Sequence, residues 1–302
     1  MGLNLSGMTT ETRNPRTMQL DQMSPLEIVT VMNEEDARVP LAIAKCLPQI
    51  AQAVTWAAES FEKGGRLFYM GAGTSGRLGV LDAAECPPTF GVPKEMVVGL
   101  IAGGEKAFIE AVEGAEDSWE LAVEDLKAHG LTANDFVVGI AASGRTPYVL
   151  GGLDYAKSVG CHTAAIACNI GSAIGKAAEL AIEVNCGPEV LTGSTRLKSG
   201  TAQKLILNMI STGSMVRTGK AYQNLMVDVQ QTNEKLHTRA ENIVIDATGV
   251  EREKARAAID AAGGSVKTAI TMLLADCDAA EAARRLEKAR GHVREAIRLE
   301  VL

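Results

Sequence analysis

A short run in the first third of the chain limits the possible folds more than any other stretch. Residues 67–70 are four consecutive apolar residues, which is typical of a strand buried in a parallel sheet. Gly-Ala-Gly-Thr-Ser-Gly follows over residues 71–76, and residues compatible with a helix continue to Ala84. A strand, a glycine turn and a helix start direct backbone N–H groups and a helix dipole at one point, where phosphate groups commonly bind.

The glycine spacing also matches the dinucleotide-binding pattern GxGxxG, which is a weak signal by itself. Dinucleotide binding calls for an acidic residue at the end of the next strand. The next strand-like run, residues 96–101, is followed instead by Ala-Gly-Gly. We therefore favour a loop that holds the phosphate of a small ligand, with Thr74, Ser75 and Gly76 as contacts.

Further apolar runs alternate with helical segments along the chain. Three of them, at 136–141, 163–168 and about 180–184, predict additional strands. This alternation predicts an α/β fold, a five-stranded parallel sheet with helices on both faces. Ligands bind such sheets beyond the carboxyl ends of the strands. The loop after the third strand carries Ser143, Gly144 and Thr146, so we expect it to form one site with the first loop.

The 302 residues divide by composition into three regions. Residues 1–22 are polar and lack periodicity, which predicts a flexible N-terminal arm. Residues 23–240 hold the sheet and two preceding helices, the first capped by Ser24 and the second interrupted by Pro48. Residues 241–302 are rich in Ala, Glu, Arg and Lys at helical spacing, which predicts a small helical bundle.

Composition also excludes several classes of partner. The net charge of −7 and an aromatic content of 4% argue against a surface for nucleic acid. We see no apolar run long enough to span a membrane and no signal peptide. The six cysteines are scattered and form no CxxC motif, as expected for free thiols in a reducing compartment. These features predict a cytoplasmic protein.

Four polar residues outside the two loops are candidates for chemistry. Glu85 precedes a Cys-Pro-Pro sequence that we expect to end its helix, and a helix C-terminus favours a protonated carboxyl group. Ser194 and Lys198 belong to a cluster of hydroxyl groups and cations at a predicted helix start, a second possible anion site. His237 can exchange a proton near neutral pH, although a lone histidine is more often a structural hydrogen-bonding residue.

Five longer motifs resemble those of the N-acetylmuramic acid 6-phosphate etherase family, within the sugar isomerase (SIS) domain superfamily. They are GAGTSGRLGVLDAAECPP at 71–88, VEGAED at 112–117, AASGRTPY at 141–148, TGSTRLK at 192–198 and NEKLH at 233–237. The resemblance covers nearly the whole chain after residue 20. It implies a SIS domain, a flavodoxin-like three-layer sandwich, followed by a small ubiquitin-associated-like helical bundle.

The resemblance implies a cytoplasmic homodimer that cleaves the ether between C3 of N-acetylmuramic acid 6-phosphate and D-lactate. The products are N-acetylglucosamine 6-phosphate and D-lactate, in bacterial cell-wall recycling, and no metal or nicotinamide cofactor takes part. The two catalytic glutamates of the family correspond to Glu85 and Glu116. The family points to Glu85 as the acid that protonates the departing lactate, which leaves Glu116 as the candidate base at C2.

For the substrate phosphate we expect contacts from the hydroxyl groups and backbone of both strand-end loops. The first candidates are Ser75, Ser143, Gly144 and Thr146, and the second are Thr74, Ser194 and Lys198. We hypothesise that His237 assists opening of the sugar ring, reaching in from the partner subunit.

Two other functions use the same superfamily fold. Sugar-phosphate sensors bind a ligand without catalysis, and aldose–ketose isomerases open the ring and deprotonate C2 but expel nothing. The presence of both Glu85 and Glu116, and the absence of a helix-turn-helix segment ahead of the sheet, favour the etherase over a sensor. Release of lactate separates the etherase from both alternatives.

Overall fold

A computed structural model describes residues 7–110, 112–230 and 233–299. Its contacts divide the chain into two compact units. The first contains the residues up to Ala84 and Glu95–Ser211, and the second contains Glu85–Lys94 and the residues from Thr212 onward. This division by contacts does not test the domain limits predicted at residues 22 and 240, which stay a prediction.

The first unit is built from alternating strands and helices, and two of these helices, Gly73–Phe90 and Lys198–Arg217, end in the second unit. In chain order these elements are α1 (Pro25–Asp36), α2 (Val39–Ile43), α3 (Leu47–Glu62), β1 (Leu67–Gly71), α4 (Gly73–Phe90), β2 (Val97–Ile101), α5 (Lys106–Ile109), α6 (Trp119–Ala128), β3 (Phe136–Ile140), α7 (Pro147–Val159), β4 (His162–Ala167), α8 (Ala173–Ala177), β5 (Leu180–Glu183) and α9 (Lys198–Arg217). Each of the five strands lies within one residue of its predicted limits.

The five strands form one parallel sheet in the order β2-β1-β3-β4-β5. Successive side chains of a strand point to opposite faces. On one face, Phe68 and Met70 of β1 belong to a core that includes Leu126 of α6 and Leu153 of α7. On the other face, the Tyr69 hydroxyl donates to the Leu207 carbonyl of α9 at 3.4 Å. Helices therefore cover both faces, which confirms the predicted three-layer α/β fold.

Local signals set the limits of the early helices. Ser24 accepts a hydrogen bond from the Glu27 amide, and the Glu27 carboxylate accepts one from the Ser24 amide, so the predicted capping box is present. The second predicted helix is divided, but by a 3-10 turn at Ala44–Cys46 rather than at Pro48. Pro48 lies in the first turn of α3, where its missing N–H costs no helical hydrogen bond.

The predicted end of α4 is wrong. The helix passes through Pro87 and Pro88 and ends at Phe90. Gly91, with φ of +61°, terminates the helix, and its amide donates to the Pro87 carbonyl at 2.9 Å. The prolines lie in the last turn, where they remove two hydrogen bonds without preventing the turn. Glu85 is therefore five residues before the helix end, and the argument from the C-terminal dipole does not apply to it.

Residues 7–22, the described part of the predicted arm, form three short 3-10 helices at Thr9–Glu11, Pro15–Thr17 and Leu20–Gln22. Buried polar side chains attach this segment to the first unit. Asn14 donates to the Glu35 carboxylate at 3.1 Å, and the Thr17 hydroxyl donates to the Val190 carbonyl at 2.8 Å. Residues 1–6 lie outside the described residues.

The second unit is largely helical. It comprises a two-stranded hairpin, β6 (Ala221–Tyr222) and β7 (Leu225–Met226), and the helices α10 (Glu234–Thr248), α11 (Arg252–Ala261), α12 (Val266–Ala275), α13 (Ala279–Lys288) and α14 (Val293–Ala296). Residues 262–265 and 276–278 separate α11, α12 and α13, and the predicted helical C-terminal region is confirmed. Along the described residues, every helix is too short or too polar to cross a membrane.

Candidate functional site

The strand order places a topological switch point between β1 and β3. From β1 the chain continues to β2 on one side of β1, and β3, β4 and β5 lie on the other side of β1. Ligands of doubly wound sheets bind in the crevice that such a reversal opens at the carboxyl ends of the strands. Helices α4 and α7 begin there, directly after β1 and β3, so both predicted loops lie at the switch point.

Close packing requires the glycines of the first loop. A Cβ atom at Gly71 would lie 2.9 Å from the Gly76 amide nitrogen and from the Ile140 carbonyl oxygen, and one at Gly76 would lie 2.6 Å from the Gly71 oxygen. Gly73 has a φ of +52°, which a side chain disfavours. The residue before α4 is Ala72, whose side chain cannot cap a helix. The first turn therefore presents its backbone N–H groups to the crevice.

The second loop has a similar construction. Gly144 has a φ of +73°, and a Cβ atom there would lie 2.4 Å from Cβ of Ser172. Thr146 is the N-cap residue of α7, but its side chain makes no capping hydrogen bond. Ser143 is half-buried, and its carbonyl accepts a hydrogen bond from Asn169 at 3.3 Å. Thr146 and the start of α7 thus lie at the same edge of the sheet as the start of α4.

Internal carboxylates occupy two other helix starts in this unit. Glu183 accepts hydrogen bonds from the amides of Gly171 and Ser172 just before α8, both at 2.7 Å. Glu189 is fully buried and accepts from the amides of Lys198 and Ser199 at the start of α9, both at 2.9 Å. Because a helix N-terminus attracts one anion, α8 and α9 are already satisfied by the protein itself.

The structure also changes the role expected for Lys198. Its side chain is 1% exposed, and Nζ lies 2.6 Å from Oε2 of Glu35 and 3.0 Å from the Cys186 carbonyl oxygen. Burial opposes ionisation of Glu35, but hydrogen bonds from Lys198 and Arg16 outweigh it and lower the pKa of Glu35 to about 2. We therefore assign Lys198 to an internal ion pair. Ser194 lies in the turn that precedes α9.

Glu116 lies beside the first loop. It belongs to a 3-10 turn at Ala115–Asp117 and lines a cavity of about 170 Å³ at the ends of β1 and β2. The lining residues are Ala72, Gly73, Arg77, Ala102, Ala107, Val112, Glu113, Gly114 and Glu116. Arg77 donates to the carbonyls of Phe108 and Ala107 at 2.7 and 2.9 Å, which holds the last turn of α5 at this cavity. The carboxylate of Glu116, predicted to be catalytic, and the start of α4 thus share one cavity.

Glu85 and His237 belong to the second unit. Glu85 is exposed on α4. His237 is exposed in the first turn of α10 and lines a cavity of about 240 Å³ with Glu241, Arg256, Ile259 and Asp260. Glu241 accepts hydrogen bonds from Arg256 at 2.7 Å in that cavity.

Sequence reasoning missed Gln203. This residue of α9 is 1% exposed, and its Oε1 accepts a hydrogen bond from the Ser75 hydroxyl at 3.0 Å. The two residues are 128 positions apart. A glutamine inside a helix carries no motif, so only the position of its neighbours within the fold could have identified it.

Two family models match the chain, the glucokinase regulatory protein N-terminal SIS domain over residues 49–157 and the SIS domain over residues 120–212. A putative phosphosugar isomerase from Bacteroides fragilis NCTC 9343 has a similar structure, with a TM-score of 0.52 and 21% identity over 67% of this chain and 95% of that one. A phosphoheptose isomerase from Francisella tularensis also has a similar structure, with a TM-score of 0.50 and 18% identity over 64% of this chain and 100% of that one. The fold and its switch-point loops define a SIS domain.

Sequence relatives extend the similarity to the full length. A protein named N-acetylmuramic acid 6-phosphate etherase from Exiguobacterium sp. is 63% identical over 97% of this chain and 100% of its own length. Proteins of the same name from Serratia proteamaculans and Pectobacterium atrosepticum are each 61% identical over 98% of this chain. The chain belongs to the N-acetylmuramic acid 6-phosphate etherase family.

Proposed function

We propose that this protein cleaves the lactyl ether of N-acetylmuramic acid 6-phosphate, giving N-acetylglucosamine 6-phosphate and D-lactate in bacterial cell-wall recycling. The observation that carries the proposal is the identity of 63% with an etherase over nearly the whole of both chains. The cavity that joins Glu116 to the start of α4 supports it. The six cysteines form no disulfide among the described residues, which supports a reducing cytoplasmic compartment.

The substrate phosphate binds at the starts of α4 and α7. Among the residues that the structure describes, no carboxylate accepts from the amides of these two starts as Glu183 and Glu189 do at α8 and α9. Backbone donors of the first turns and the hydroxyl groups of the two loops surround the phosphate, and the contacting residues are Thr74, Ser75, Gly76, Ser143, Gly144 and Thr146. Nε of Arg145, in the same loop, is buried and has no hydrogen-bond partner within the described ranges, and a bound anion would satisfy it.

The chemistry is an elimination followed by addition of water. Ring opening exposes an aldehyde at C1, which acidifies the proton at C2. Glu116 removes that proton, and the electron pair forms the C2–C3 double bond as the C3–oxygen bond breaks. Glu85 donates a proton to the departing lactate oxygen. Water then adds across the double bond, its oxygen at C3 and a proton at C2. The sequence of steps is redox-neutral and uses no cofactor.

We also propose that the active form is a homodimer with shared sites. Glu85 is exposed on α4, where a partner chain can approach it. We assign Glu85 of one chain to the site formed by the loops and Glu116 of its partner. His237 is assigned to ring opening from the partner chain.

The experiment that tests the reaction is a D-lactate assay in deuterated water. We expect the wild type to release lactate and to place deuterium at C2 of the product. We expect Glu116→Ala to abolish both events, because no base then forms the carbanion. Glu85→Ala should still exchange the C2 proton while releasing lactate at least about a hundredfold more slowly, the usual contribution of an acid catalyst.

The alternatives correspond to other results of the same assay. A wild type that binds the sugar phosphate tightly but releases no lactate would indicate a sensor. A wild type that exchanges C2 and yields a ketose would indicate an isomerase. For His237, turnover of His237→Ala at the wild-type rate would remove it from the mechanism.

A further inference from the structure

A buried glutamine contacts the serine of the first loop. Gln203 is 1% exposed, and its Oε1 accepts the Ser75 hydroxyl at 3.0 Å. Its Nε2 atom is buried and has no hydrogen-bond partner among residues 7–110, 112–230 and 233–299. A buried donor without an acceptor is unfavourable, and such groups in folded proteins often have a functional reason. Here the unpaired donor belongs to a side chain that already touches the proposed phosphate loop.

The orientation of the Gln203 amide decides where the Ser75 proton points. A serine hydroxyl has one proton to donate. In this structure that proton is directed to Gln203 and cannot serve a ligand. Rotation of the amide by 180° places Nε2 opposite the Ser75 oxygen, so the amide becomes the donor. The Ser75 proton is then free to point towards the crevice.

A phosphate monoester selects the second orientation. At neutral pH its oxygens are predominantly ionised and act mainly as hydrogen-bond acceptors, so Ser75 must donate to them. We propose that Gln203 is a positioning residue that turns the Ser75 proton towards the substrate phosphate. This inference rests on the proposed function, because it takes the phosphate to bind at the start of α4.

A double-mutant cycle tests the inference. Affinity for N-acetylglucosamine 6-phosphate is measured by calorimetry for the wild type, Gln203→Met, Ser75→Ala and the double variant, together with kcat, KM and Tm. We expect Gln203→Met to weaken binding about tenfold, the loss of one hydrogen bond to a charged group, with kcat within about twofold. In the Ser75→Ala background the same change should weaken binding less than about twofold, because no hydroxyl remains to be oriented.

Two further variants separate positioning from structural support. Gln203→Glu can accept the Ser75 proton but, when ionised, cannot donate, so it should lose at least as much affinity as Gln203→Met. Gln49→Met is the matched control, since the Gln49 amide of α3 also has a buried atom without a partner in the described part of the chain. It should leave phosphate affinity unchanged.

Equal losses from Gln203→Met in both backgrounds would overturn the inference, as would unchanged affinity in that variant or wild-type affinity in Gln203→Glu. If the wild type still releases D-lactate in those cases, the proposed function stands and only the role of Gln203 fails. A wild type that neither binds the sugar phosphate nor releases lactate would overturn both.

Discussion

The carboxyl group of Glu35 gives the first unit a defined response to acid. It is 2% exposed and accepts hydrogen bonds from Lys198 at 2.6 Å and from Arg16 at 2.9 Å. Burial opposes its ionisation, but these partners lower its pKa to about 2 from an ordinary value near 4.5. Because the folded pKa lies below the unfolded one, the stabilisation is complete well above pH 4.5 and is lost as the pH falls towards 2. We expect a loss of about 3 kcal/mol in the free energy of unfolding.

Urea denaturation at several pH values between 7 and 2 measures this loss. The control is the double variant Glu35→Gln/Lys198→Met, which replaces the ion pair by neutral side chains of similar size. Between pH 7 and pH 2, the free energy of unfolding of this variant should fall by about 3 kcal/mol less than that of the wild type. Identical pH profiles for the variant and the wild type would show that Glu35 does not carry the acid response.

The ion pair shows what a single sequence can reveal about individual residues. The cluster of cations and hydroxyl groups near residue 198 predicts a helix start, which α9 confirms, and a site for a ligand anion, a position that a carboxylate of the protein itself occupies. The anion is Glu189, and the partner of Lys198 is Glu35, 163 positions away. Pairing over that distance depends on the tertiary fold. Charge clustering in the sequence therefore indicates the helix start but cannot identify the carboxylates that bind there. The Ser75–Gln203 contact was hidden for the same reason.

At the scale of elements, the buried carboxylate of Glu189 defines the start of α9. It accepts hydrogen bonds from the amides of Lys198 and Ser199 and from the Ser199 hydroxyl, all at 2.9 Å. We expect Glu189→Ala to lower the free energy of unfolding by about 2–3 kcal/mol, because these buried donors lose a charged acceptor. Glu59→Ala, at an exposed position of α3, is the control and should change stability by less than about 0.5 kcal/mol. Chemical denaturation of both variants gives the comparison, and equal values would exclude the capping role.

Elements were predictable wherever a local signal specifies them. Apolar runs located all five strands, and the Ser24 capping box located the start of α1. The end of α4 was not predictable from its two prolines, because a proline in the last turn removes hydrogen bonds without preventing helical geometry. The effective stop is Gly91, whose positive φ ends the helix. No local pattern gives the strand order, and with it the switch point, because the pairing of parallel strands depends on tertiary packing.

At the scale of the whole molecule, the proposed homodimer with shared sites makes a quantitative prediction. Glu85→Ala and Glu116→Ala each inactivate both sites of their own dimers. A mixed dimer has one site with both glutamates intact and one site with neither, because each site combines Glu116 of one chain with Glu85 of the other. Unfolding and refolding the two variants together at equal amounts gives about one half mixed dimers by random pairing. The mixture should therefore recover about a quarter of the wild-type rate of D-lactate release.

Two controls make this recovery interpretable. Each variant refolded alone should remain inactive, and the two variants mixed without unfolding should regain activity only as fast as their dimers exchange chains. Size-exclusion chromatography with light scattering establishes the oligomeric state of every sample. A mixture of confirmed mixed dimers with no activity would mean that Glu85 and Glu116 of the same chain act on one sugar. In that case the proposal of shared sites would fail, while the proposed reaction and the phosphate site would stand.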